Sequence, residues 1–221
     1  MTRDSAPLRV VCVVVHFQTP DLLDAAVRTF RAHEPDVPLV VVDNGSGHDS
    51  DATLDALAAL PGVTVDRLGA NRRHGPAMDH ALRTLDGADA VLFLDSDTET
   101  RGPFVAAMAG ALAADPTAVA AGQVVRVDRR GFAGTPRATI PVPVSWHALV
   151  RRSVYLGLPP FVHHGLPMLS TMAAAHRAGH AVVSFPVERF VWHKGRGTVA
   201  RVGYGLGWRS RWDYLMHRLG R

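Results

Sequence analysis

Residues 9–15 form an unbroken β-branched run around Cys12, the pattern of a strand buried on both faces of a parallel sheet. Thr19-Pro20 then offers an N-cap followed by proline at the first helical position. Leu22, Ala26 and Phe30 recur at helical spacing until Pro35 closes the segment. A second strand at 39–42 runs into the loop signal Asp43-Asn44-Gly45-Ser46-Gly47. Leu54, Leu57 and Leu60 predict a short helix stopped by Pro61-Gly62, and 63–68 predicts a third strand. After residues 71–76 a helix passes through Met78, Leu82 and Leu85. Residues 90–94 form a fourth strand that leads straight into Asp95-Ser96-Asp97.

Strands alternating with helices at this spacing predict a right-handed βαβ series on a mostly parallel sheet. Beyond Pro103 a helix reaches Asp115-Pro116, and the pattern then becomes mixed. Residues 118–127 and 142–151 read as strands, 167–177 as a helix with Gly179 as its C′ residue, and 181–185 and 189–192 as short extended pieces. There is no internal repeat and no linker. The expectation is one α/β domain over 1–221, Rossmann-like in its first half (9–97), mixed in its second (98–193), with a tail at 194–221.

Composition narrows the classes. A chain of 221 residues, 47% hydrophobic, suits one domain with a full core, and the lone Cys12 excludes a disulfide scaffold. No apolar stretch approaches the roughly 18 residues of a membrane span, and the polar N-terminus lacks a signal-peptide pattern. These features predict a soluble, cytoplasmic protein. The high isoelectric point belongs to the tail: residues 194–221 hold seven bases and one acid, against 17 bases and 19 acids elsewhere. Tyr204, Trp208, Trp212 and Tyr214 accompany those bases. Covering the donor site, docking on anionic lipid, gripping a lipid-linked acceptor's phosphate and simply packing on the core all fit such a tail. The slightly acidic remainder and the absence of a recognition motif argue against nucleic acid.

In an open parallel sheet, ligands bind at the carboxyl ends of the strands. Here those ends carry His16 to Thr19, with Gln18 among them, then Asp43-Asn44, then Asp95-Ser96-Asp97. No Gly-x-Gly-x-x-Gly turn and no P-loop follows the first strand, which removes dehydrogenase and NTPase readings. Two carboxylates two residues apart at a strand mouth are costly to hold together without a cation between them. Hard oxygen ligands of this kind favour Mg²⁺ or Mn²⁺ shared with substrate phosphates.

Val41-Val-Asp43-Asn-Gly-Ser46, then Asn71-Arg-Arg-His-Gly-Pro-Ala77, then Leu92-Phe-Leu-Asp95-Ser-Asp97 resemble the family 2 glycosyltransferases of the GT-A fold. Arg177-Ala-Gly179 and Trp192-His193 extend the resemblance over most of the chain. The resemblance implies a hexosyltransferase-like enzyme that moves a sugar from a nucleoside diphosphate sugar to a glycan, lipid-linked or small-molecule acceptor. It implies that Asp43 binds the nucleoside, that Asp97 binds the metal bridging the diphosphate, and that His193 completes that metal site beside Asp95. His16, Gln18, Asn71, Asp95 and Ser96 join Asp43 in the donor-binding set.

The resemblance fails at one place. The Glu-Asp pair that usually carries the general base maps onto Pro167 and Met168, and 161–177 contains no acid. Arg73 and Pro76 also stand where glycines are usual. A base from elsewhere, with His163 and His164 nearest, competes with transfer assisted by the leaving diphosphate. A binding-only relative and a sugar nucleotidyltransferase are the alternative functions.

Overall fold

The computed structural model describes residues 7–133, 139–162, 166–195 and 201. The first half alternates as expected: β1 (Val10–His16), α1 (Pro20–His33), β2 (Leu39–Asp43), α2 (Asp51–Ala58), β3 (Val63–Arg67), α3 (His74–Thr84) and β4 (Ala90–Asp95). Then come β5 (Thr98–Thr100), α4 (Val105–Ala114), β6 (Ala118–Gly122), β7 (Val124–Val127), β8 (Ile140–Pro143) and β9 (Leu149–Arg151). The described chain continues through α5 (Arg152–Tyr155), α6 (Leu169–Arg177), β10 (Ala181–Ser184) and β11 (Val191–His193).

Among the described residues, seven strands form one sheet in the order β10-β6-β9-β4-β1-β2-β3. Strands β3, β2, β1 and β4 are mutually parallel, whereas β9 runs antiparallel to both β4 and β6. The sheet is mostly parallel, and its mixed part lies in the second half. Alternate residues of each central strand feed opposite cores. Cys12, Val14, Leu92 and Leu94 pack with α1, α2 and α4, while Val13, Val15, Val91 and Phe93 pack with α3 and α6. That two-sided burial is why the strands read as continuous apolar runs rather than alternating ones.

Several local expectations are corrected. Thr19 precedes α1, but its hydroxyl donates to the Phe17 carbonyl at 3.4 Å and makes no capping bond. The single strand expected at 118–127 is two, belonging to different sheets and broken at Gln123. Residues 142–151 likewise split into the end of β8, a short 3₁₀ turn at Ser145–His147, and β9. The expectation for Gly179 holds. With φ +85° it closes α6 in a Schellman motif, His180 N–H donating to Ala175 O at 2.9 Å and Gly179 N–H to His176 O at 3.1 Å. None of the described helices is long and apolar enough to cross a membrane.

Candidate functional site

The ends of β2, β1 and β4 form one edge. In register, His16 faces Asp43 on one side, and its neighbour Val15 faces Asp95 on the other. Asp43 and Asp95 are therefore two inter-strand spacings apart, about 10 Å.

Asp43 is 5% exposed and its Oδ1 accepts from Ser46 N–H at 3.2 Å. Asn44 ties two loops together. Its Oδ1 accepts from Arg72 N–H at 2.8 Å, and its Nδ2 donates to Asn71 Oδ1 at 3.1 Å. Gly45 makes that closeness possible: φ is +77°, and a Cβ there would lie 2.6 Å from the Ala70 and Asn71 backbone. Gln18 has φ +56°, and its N–H donates to Ser46 Oγ at 3.0 Å, fixing the β1 loop against the β2 loop.

The expectation that His16 contacts the donor needs correction. Its side chain is fully buried, with Nε2 3.2 Å from Ser50 Oγ, so it supports the β2 loop instead of lining the crevice. Burial pushes its pKa down to about 4, against the pull of Asp43, so the ring is neutral near pH 7.

The second cluster joins distant parts of the chain. β5 pairs antiparallel with β11, Thr98 opposite His193, and Lys194 N–H donates to Asp97 O at 2.9 Å. This brings His193 Nε2 to 3.1 Å from Asp97 Oδ1 and 3.8 Å from Asp95 Oδ2. One donor atom each from Asp95, Asp97 and His193 lies within 4.8 Å of the others. Burial disfavours a charged His193, but hydrogen bonds and charge from Asp95 and Asp97 outweigh it and raise its pKa to about 9. The cluster attracts positive charge. Ser96, between the two acids, is buried. Trp146 packs on the His193 ring, centroids 4.7 Å apart.

Sequence reasoning gave His74 no role. It opens α3, and its Nε2 stands 3.6 Å from Asp95 Oδ1, so Asp95 is flanked by two imidazoles. The available signal was its position directly after the Asn71 loop, at the start of a helix that follows a strand end.

Met168 is a core residue, 1% exposed, so the position matching the usual base points into the protein. His163 and His164 lie outside the described residues, as does the tail apart from residues 194, 195 and 201. Arg201 donates to Asp21 Oδ1 at 2.7 Å, at the start of α1.

The model of Glycosyl transferase family 2 matches residues 10–177. Among solved structures, the mannosyltransferase PcManGT from Pyrobaculum calidifontis, in complex with GDP-Man and Mn²⁺, is similar with a TM-score of 0.69. Identity is 20% over 98% of this chain and 66% of that one. GalNAc-T7 with UDP, GalNAc and Mn²⁺ follows with a TM-score of 0.65 and 13% identity over 83% of this chain and 43% of its own. Residues 1–349 of TarS from S. aureus give 0.61 and 15% identity over 96% and 71%. At these identities the likeness is one of fold, and the chain spans less than two thirds of the length of the first two. No curated protein matches the chain significantly.

Proposed function

Because the chain belongs to glycosyl transferase family 2, we propose that it moves a sugar from a nucleoside diphosphate sugar to an acceptor hydroxyl with the help of a divalent metal. The observation that carries this reading is the meeting of Asp95, Asp97 and His193 at the mouth of β4, about 10 Å across the sheet edge from Asp43. Two carboxylates and one imidazole suit Mn²⁺ or Mg²⁺. Such an ion, when bound, would neutralise charge gathering on a departing diphosphate. Nucleotide and Mn²⁺ in the complexes of PcManGT and GalNAc-T7 support the same reading.

In this proposal Asp97 and His193 hold the metal, Asp95 shares in holding it and orients the donor, and Asp43 binds the nucleoside. Asn71, clamped by Asn44, shapes the floor between them. Gln18 and Ser96 border the donor, and His16 acts from behind the β2 loop. Residues 9–97 form the donor half of a single domain, 98–193 the acceptor half, and 194–221 a basic aromatic tail in peripheral contact with the inner face of the membrane of a cytoplasmic protein. The acceptor is a glycan, lipid-linked or small molecule. With Pro167 and Met168 unable to take a proton, His163 or His164 serves as base, or the leaving diphosphate does.

The buried Met168 favours one other reading, a binding protein without turnover. Incubating the chain with UDP- and GDP-sugars, with and without Mn²⁺, separates the readings. Metal-dependent release of free UDP or GDP is expected. Binding without release would favour the binder, and pyrophosphate formation would favour a nucleotidyltransferase.

A further inference from the structure

Arg73 has φ +73° and ψ 164°. That region of backbone space is essentially reserved for glycine, because any Cβ meets the neighbouring peptide units. The conformation is locked from the side. Arg73 N–H donates to Asn71 Oδ1 at 2.8 Å, and the same oxygen accepts from Asn44 Nδ2 at 3.1 Å. Gly45 packs directly against the Ala70 and Asn71 backbone, so the turn cannot relax without separating the two loops.

The place of this turn matters as much as its shape. On one side it is tied to the loop that follows Asp43. On the other it leads into His74, which reaches Asp95 at 3.6 Å. Arg73 therefore stands between the proposed nucleoside and metal subsites, where a donor's phosphates must pass. A glycine would follow the same backbone path without steric cost. Arg73 is partly buried as a residue, and what the arginine adds is a guanidinium, a group whose fork of N–H donors matches phosphate oxygens.

We propose that Arg73 is a specificity-determining residue that grips the donor's phosphates and is held in place at a cost to the fold. This rests on the donor-site reading above.

The test is titration of UDP and GDP in the presence of Mn²⁺, with uridine and guanosine as phosphate-free competitors, into the unaltered chain, R73G and R73A. R73G is expected to bind the preferred diphosphate about ten- to hundredfold more weakly while its affinity for the nucleoside stays unchanged. Its thermal midpoint should rise by about 2–4 °C as the strain is released. R73A should lose the same affinity without that rise. Unchanged diphosphate affinity in R73G, an equal loss for nucleoside and diphosphate, or a lowered midpoint would each overturn the proposal. Failure of the unaltered chain to bind either diphosphate would defeat the donor-site reading itself, and the Arg73 assignment with it.

Discussion

Asp97 carries more of the proposed metal site than Asp95. It is 5% exposed, it makes the shorter contact to His193, and its own carbonyl is held by Lys194 N–H. Asp43, across the sheet edge, is buried to the same degree, its carboxylate accepting from Ser46 N–H in its own loop and its carbonyl from Leu68 N–H. The two acids should therefore fail in different ways. Asp97→Ala is expected to abolish Mn²⁺-dependent nucleotide binding, and His193→Ala to weaken it less, since it removes one ligand of several. Asp43→Ala should leave metal affinity of the nucleotide-free chain unchanged and raise the donor KM about ten- to hundredfold, the worth of one charged hydrogen bond. Calorimetric Mn²⁺ titrations alongside donor kinetics check the contrast. Nucleotide affinity that is unaltered in Asp97→Ala across the Mn²⁺ range would remove the metal assignment.

Two helices of this fold are terminated by residues far away in sequence. Helix α4 is almost wholly apolar and has no acid in its first turn. Its N-terminus is satisfied by Glu34 at the end of α1, whose Oε1 accepts from Phe104 N–H at 2.5 Å and Val105 N–H at 2.8 Å. At the other end Arg151 of β9 donates to Leu112 O at 2.6 Å, while its neighbour Arg152 donates to Leu82 O at 2.7 Å to close α3. Two adjacent arginines thus finish helices on opposite faces of the sheet. Glu34→Gln keeps the shape but loses the charge at a buried helix start, and should cost about 1–2 kcal/mol. Chemical denaturation would read this directly, and an unchanged midpoint would mean that Glu34 does not cap α4. No local pattern announces such caps, because donor and acceptor are 39 to 71 residues apart.

At the scale of the whole molecule, two buried histidines set an acid limit. His16 and His147 are both fully buried, and burial pushes each pKa down to about 4. Asp43 faces the first; Asp95 and His193 face the second, and Gln123 Oε1 lies 3.3 Å from His147 Nε2. An unfolded histidine titrates near about 6.5. Above that pH neither state binds the proton, so the two groups leave stability unaffected. Between about 6.5 and 4 the unfolded chain takes up protons that the folded chain refuses, and stability falls by up to about 3 kcal/mol per histidine. His193, raised to about 9, acts in the separate window between about 6.5 and 9, where its stabilisation of the metal-free chain is lost as pH rises. Urea unfolding at pH 7.5 and pH 5 should therefore differ, and His16→Gln should flatten the acid slope. A level profile from pH 7 to pH 4.5 would contradict the neutral buried rings.

The sequence by itself determined the βαβ order of the first half, since each central strand is apolar on both faces and each helix carries a periodic stripe. It also marked Asp43, Asp95 and Asp97, because acids at strand ends stand out against those runs. The resemblance at Trp192-His193 already pointed to His193 as their partner, and tertiary structure decided how it reaches them and what else stands beside them. The antiparallel pairing of β5 with β11 seats His193 on the Asp95–Asp97 pair across nearly 100 residues. The Asn44–Asn71 link aims α3, and with it His74, at Asp95. Insertion of β9 between β4 and β6 splits what reads as continuous strand at 118–127 and 142–151. The physical reason is range. Hydrophobic period and turn chemistry act over a few residues and are written in order along the chain, whereas a shared ligand site or a remote cap is a contact whose partners are chosen only by the packing of the sheet.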